Sequence, residues 1–127
     1  MNRPRPDRGL LNASYRRAHR LLESHDFTAA IRYGRRFNQP TFTLCVRTNT
    51  LSWPRLGLAV SRRNVRRASS RNRLKRVMRE VYRQMLLELP CVDLVVLVHT
   101  DAAAIPVVLF RQSFHAALRA LQSSVPG

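Results

Sequence analysis

Residues 41–48, TFTLCVRT, alternate in polarity: Phe42, Leu44 and Val46 fall on one side, and Thr41, Thr43, Cys45 and Arg47 on the other. A period of two marks a strand with one buried face. Residues 55–62, RLGLAVSR, repeat the pattern after a turn at Trp53-Pro54, directing Leu56, Leu58 and Val60 to a core and Gly57, Ala59 and Ser61 away from it. Residues 35–38 read as a short edge strand ended at Pro40. Residues 93–98, DLVVLV, are apolar on both faces, as in a central strand covered on both sides. Three segments carry helical signals instead. A short helix is capped by Ser24, has Asp26 at its positive end, aligns Phe27 with Ile31, and is closed by Gly34 in a left-handed conformation. The longest helix covers 71–88, with Ser69 and Ser70 before it as caps. The last runs from about Pro106 to Gln122 and buries Phe110, Phe114, Ala117, Leu118 and Leu121. The order is αβββαβα, an α+β sandwich.

The strands at 41–48 and 55–62, read as adjacent, share a face of small or polar side chains. That face is either the floor of a groove against which another chain lies, or simply solvated. Residues 1–14, with two prolines, a glycine and four charges, read as a disordered basic arm; 15–123 as a single domain; 124–127 as a tail. No apolar run reaches the eighteen residues of a membrane span, and the basic N-terminus lacks the apolar stretch of a secretory signal. Cys45 and Cys91, without CxxC spacing, read as reduced core thiols. The expected location is the cytoplasm.

Charge sharpens this picture. The formal net charge is +16 over 127 residues, and a single lysine, Lys75, stands among 23 basic residues. A field of that size attracts polyanions and opposes packing of the chain against its own copies, so no obligate protein partner is expected. Guanidinium groups match phosphates bidentately and stack on bases, which an ammonium cannot do.

The charge concentrates between Arg62 and Arg83, RRNVRRASSRNRLKRVMREVYR, where ten of 22 residues are Arg or Lys and Glu80 is the only acid. On a helical wheel Leu74, Val77, Met78, Val81, Met85 and Leu89 occupy one arc of roughly 140°. Asn72, Arg76, Arg79 and Arg83 gather opposite, within roughly 60°, flanked by Arg73 and Lys75. Like charges at helical spacing destabilise a helix by about 0.2–0.5 kcal/mol per pair unless something neutralises them. A solvated helix face would mix signs, and a membrane-surface helix would give up an apolar face that so small a domain needs for its core. An anionic partner remains, phosphate above all. Asn72 adds a neutral group suited to a base edge or a 2′-hydroxyl. No helix-turn-helix, zipper or zinc-finger spacing accompanies it.

Arg71-Asn72-Arg73, followed by Leu74, Lys75, Arg76, Arg79 and Glu80, resembles the RNR signature of the bacterial ribonuclease P protein family. The preceding LGLAVSRRNVRRASS, the upstream Phe27 and Gly34 and the downstream DLVVLV are also similar, so the resemblance covers about residues 15–122. It implies a two-layer αβββαβα sandwich of the ribosomal S5 domain 2-like kind, with a left-handed βαβ crossover against the usual right-handed rule. It also implies that Arg62, Arg63, Arg66, Arg67, Arg71, Asn72, Arg73, Lys75, Arg76 and Arg79 bind the catalytic ribonuclease P RNA. A groove between the first helix and the sheet would hold the single-stranded 5′ leader of precursor tRNA, through Phe27, Ile31, Thr43, Cys45 and Ser61. Phe27 stacks on a leader base or fills the core. Two departures stand out: Ile31 and Cys45 occupy places where many relatives carry aromatics, and His99-Thr100-Asp101 replaces an often basic stretch.

The sequence holds no convincing catalytic centre of its own. Its seven acids are scattered, its four histidines (His19, His25, His99 and His115) form no HxH or HxxxH cluster, and there is no phosphate loop. The resemblance agrees. The RNA subunit is the catalyst and holds the required Mg2+, so no cofactor or metal belongs to a dedicated protein site and no residue of this chain is catalytic. Other classes compatible with the charge are a small ribosomal protein or general RNA chaperone, and a protein-only ribonuclease using a His and a carboxylate.

Overall fold

The alternation at 41–48 becomes strand β2 (Phe42–Thr48), the strand around which the sheet is organised. The computed structural model describes residues 24–124; the expected basic arm, His19 and the end of the expected tail lie outside that range. Helix α1 (Ser24–Tyr33) leads into β1 (Arg35–Asn38), β2, β3 (Arg55–Ala59), α2 (Ala68–Met85), β4 (Val92–Val98), a short 3-10 turn (Thr100–Ala104) and α3 (Val107–Ser124). The sheet order is β1-β2-β4-β3. β2 pairs antiparallel with β1 and with β4, whereas β3 runs parallel to β4, so α2 is the crossover between two adjacent parallel strands.

One face of the sheet carries the main core. Phe42, Leu44 and Val46 of β2, Leu56 of β3 and Leu94, Val96 and Val98 of β4 pack there with the seams of α2 and α3. Leu74, Val77, Met78, Val81, Tyr82 and Met85 are the buried residues of α2, and Phe110, Phe114, Ala117, Leu118 and Leu121 those of α3. Phe42 meets Phe110 and Phe114 edge-on at 5.6 and 5.7 Å between ring centroids, an arrangement in which positive ring edges face negative ring faces. Sheet and α2–α3 layer form the two layers of the sandwich. The small helix α1 lies on the opposite face, over β2 and β4, where Ala30, Cys45 and Val95 are sealed together.

Several local expectations are corrected. α2 starts at Ala68 with Arg67 as its N-cap, and no side chain caps it, so Ser69 and Ser70 lie within its first turn. β3 ends at Ala59, short of residue 62. β2 and β3 are not neighbours, because β4 inserts between them and adds Val95 and Leu97 to the face expected to be small and polar. Gly34 has no positive φ. Its value is close approach. Its N–H donates to the Ala30 carbonyl at 3.0 Å, and a Cβ at this position would collide with that carbonyl oxygen and stand 2.8 Å from that of Val46. Both obstacles are backbone and cannot swing aside. Gly34→Ala is therefore expected to cost about 1–3 kcal/mol, read as a lower denaturant midpoint.

Candidate RNA interface and groove

Register arranges the α1 face of the sheet into three cross-strand rows. Arg47, Asp93 and Arg55 form one; Arg36, Cys45, Val95 and Gly57 the next; Asn38, Thr43, Leu97 and Ala59 the third. α1 sits on the middle row. Its N-terminal end is held by the first row. Arg55 donates from Nε and Nη2 to the two carboxylate oxygens of Asp93, each at 2.8 Å, and from Nη1 to Asp26 on α1 at 3.2 Å. Asn49 Nδ2 donates to Asp93 Oδ1 at 3.0 Å and also reaches the Trp53 carbonyl. The hydrogen bond to Asp93, chief among these contacts, holds the Arg55 guanidinium even more firmly protonated than usual. An interior carboxylate is tolerable only when matched in this way.

The third row lies beside α1, where the floor of the expected leader groove would be. Phe27 and Ile31 of α1 are half-buried and, like Leu97, pack against the Ala30–Cys45–Val95 cluster. Ser61 is exposed just beyond β3. Two of the five expected groove residues, Cys45 and Thr43, are buried in the structure. Cys45 lies wholly buried beneath α1, where burial pushes its thiol pKa up despite Arg36 nearby. Thr43 is buried too, and its hydroxyl donates to Asn38 Oδ1 at 3.0 Å while His99 Nε2 lies 2.8 Å away. Sequence reasoning missed Asn38 and Leu97 as floor residues, since period-two patterning reports faces and not neighbours.

The basic segment follows β3 directly. Arg62, Arg63, Arg66 and Arg67 are exposed in the loop before α2, and Asn72, Arg73, Arg76 and Arg79 are exposed along the helix, with Lys75 half-buried beside them. The helix thus turns its apolar seam to the sheet and its cations outward. Arg71 behaves differently. Its Nη1 donates to the carbonyls of Val65 and Arg66 at 3.0 and 2.8 Å, pinning the loop against the helix that follows. Asn64, unnoticed in the sequence, ties the same loop to the sheet by donating from Nδ2 to the Val98 carbonyl at 2.9 Å. Val65 anchors it from below, buried in the core. The basic loop is held at three points before any ligand arrives.

Glu80, the one acid between Arg62 and Arg83, accepts from Arg111 of α3 at 3.0 Å, a bond that, with Arg83 nearby, lowers the Glu80 pKa. Among the described residues no three His, Cys, Asp or Glu side chains gather as a metal site, and no helix is long and apolar enough to cross a membrane.

Comparison with known proteins places this arrangement. The model of the Ribonuclease P family matches residues 15–122. A ribonuclease P protein component of Salmonella arizonae is 40% identical over 94 residues, 74% of this chain and 79% of that one. Its counterpart in Methylococcus capsulatus is 37% identical over 105 residues, 83% of this chain and 80% of the other. Among solved structures, the RNase P protein of Thermotoga maritima is similar with a TM-score of 0.70 at 28% identity, over 79% of this chain and 97% of that one. A mutant RNase P protein of Staphylococcus aureus shares the fold, with a TM-score of 0.77 at 21% identity over 90% and 97% of the two chains. With the family model matched over residues 15–122 and relatives 37–40% identical over most of both chains, the chain belongs to the ribonuclease P protein family.

Proposed function

We propose that this ribonuclease P protein binds the catalytic RNA through the loop 62–67 and the outer face of α2, and the 5′ leader of precursor tRNA in the groove beside α1. Hydrolysis and Mg2+ are assigned to the RNA; the protein holds the leader and screens phosphate repulsion, in the cytoplasm. The observation that carries this reading is a preorganised cationic surface turned outward from the core. Arg62, Arg63, Arg66, Arg67, Asn72, Arg73, Arg76 and Arg79 are exposed on one loop-helix unit whose other side is core. Phosphates would bind it with a steep salt dependence, about 0.7–0.9 log units per contact per decade of salt. Arg71 serves mainly as the latch of the loop, while its remaining guanidinium donors stay able to reach RNA. In the groove Phe27, Ile31 and Ser61 would touch the leader, over a floor supported by Thr43 and Cys45.

The test is reconstitution. A matching bacterial ribonuclease P RNA, given precursor tRNA at low Mg2+, should cleave at the mature 5′ end much faster with this chain than without it. An equal gain from an unrelated basic RNA-binding protein would assign the chain to general RNA chaperones. Cleavage by the protein with no RNA subunit would assign it to protein-only nucleases.

A further inference from the structure

Tyr33 is the most exposed large hydrophobic side chain among the described residues, at 69%. It ends α1, and the Arg47 guanidinium lies 5.8 Å from its ring centroid. Arg32 is exposed beside it in the same last turn. Arg36 of the edge strand β1 completes the group, donating from Nη2 to the Ile31 carbonyl at 3.1 Å. Every ion pair among the described residues involves Asp26, Asp93 or Glu80, and none includes Arg32, Arg36 or Arg47. This is a second basic cluster, across the sheet from the β3 end where the groove would meet loop 62–67.

Position relates the two. The groove floor runs from Ser61 and Ala59 at the β3 side to Asn38 at the β1 edge. Arg36 stands one row from Asn38 on the same face and touches the C-terminal turn of α1. A strand crossing the floor therefore emerges at Arg36, next to the end of α1, with Arg32, Tyr33 and Arg47 around that end. We propose that Arg32, Tyr33, Arg36 and Arg47 form an exit platform for single-stranded RNA, taking the part of the leader farthest from the cleavage site. This rests on the leader-groove reading above. The polarity follows from it too: the β3 end adjoins the surface assigned to the catalytic RNA, so the strand leaves at the β1 end. An exposed ring with a cation over one face can stack a base on the other, while neighbouring guanidiniums hold the phosphates; such stacking tolerates any base. Arg36, by donating to a carbonyl of the last turn, also offsets the partial negative charge that a helix C-terminus would turn toward a phosphate.

The experiment compares holoenzyme reconstituted with the wild-type chain, Tyr33→Ala, Arg47→Ala or Phe27→Ala. It measures affinity for mature tRNA and for two precursors, one whose leader ends inside the groove and one whose leader passes β1. Tyr33→Ala and Arg47→Ala should each weaken the long-leader precursor by about five- to tenfold, a tenfold loss being ~1.4 kcal/mol. The short-leader precursor, mature tRNA and RNA-subunit affinity should hold their wild-type values. Equal losses for both precursors would place these residues against the tRNA body and overturn the platform. So would unchanged long-leader affinity. Phe27→Ala separates the two levels: if it weakens both precursors while Tyr33→Ala is silent, the groove stands and the platform falls. If Phe27→Ala is silent as well, the groove reading itself fails.

Discussion

Replacing Arg66, Arg73 and Arg76 together by alanine is expected to weaken binding to the ribonuclease P RNA by about a hundredfold or more, taking ~1 kcal/mol or more for each charge-assisted contact. All three are exposed, one in the basic loop and two on α2, so the core is not touched. The plot of log affinity against log salt should flatten by about two to three units, near 0.7–0.9 per lost phosphate contact. Stability should move the other way or not at all. Arg73 and Arg76 are three residues apart, and Arg76 is three from Arg79; removing such like-charge pairs relieves about 0.2–0.5 kcal/mol each. Opposite signs for affinity and stability separate a binding surface from a structural one. A triple variant that bound RNA with wild-type affinity and salt slope would remove the basis for assigning α2 to the RNA. Arg71→Ala should differ in kind. It frees the Val65 and Arg66 carbonyls from their latch, and its loss of affinity would come with faster amide exchange in the loop.

Asp93→Ala should be the most destabilising change on the α1 side of the sheet, by about 3–5 kcal/mol, the usual cost of stripping one partner from an interior ion pair. The Asp93 side chain is 7% exposed and accepts from both Arg55 and Asn49. Its removal leaves the Arg55 guanidinium with Asp26 alone. For a chain of this size the melting temperature should fall by on the order of 10–20 °C. Asp93→Leu combined with Arg55→Met should recover part of the loss, because no charge is then left unmatched. The network reaches α1 through Asp26, so the single variant should also slacken the groove: leader-dependent affinity drops, while RNA-subunit affinity, set on the other side of the sheet, is kept. Melting unchanged from wild type would show that the pair contributes little to holding α1.

The two functional surfaces differed in how far they could be read without coordinates. The cationic stripe was fully legible because a helix repeats every 3.6 residues: Leu74, Val77, Met78 and Val81 point one way, so Asn72, Arg76 and Arg79 must point the other. The RNR resemblance added the nature of the partner. Tyr82 alone escaped the seam, since an aromatic with a hydroxyl reads equally well as a surface residue, yet it is fully buried. The groove was legible only in part. Phe27 and Ile31 were aligned by their spacing of four, whereas the burial of Cys45 beneath α1 and of Thr43 between Asn38 and His99, both of which its hydroxyl bonds, was not visible in the pattern. The Arg32–Tyr33–Arg36–Arg47 cluster was not legible, because its members come from three elements that meet only through the sheet.

Local physics accounts for the division. Strand and helix periods, the αβββαβα order, the buried faces of α2 and α3 and the charge that calls for a polyanion all depend on residues close together in the chain, and each was settled by their order alone. Strand neighbours are different. That β4 inserts between β2 and β3 follows from pairing across more than thirty residues, where the winner depends on the core as a whole. Burial of Cys45 and the Arg55–Asp93–Asp26 tie descend from that choice of neighbours, and the need for Gly34 from the close approach of the end of α1 to the Val46 carbonyl on β2. They came into view with the packed sheet because they are contacts, not patterns.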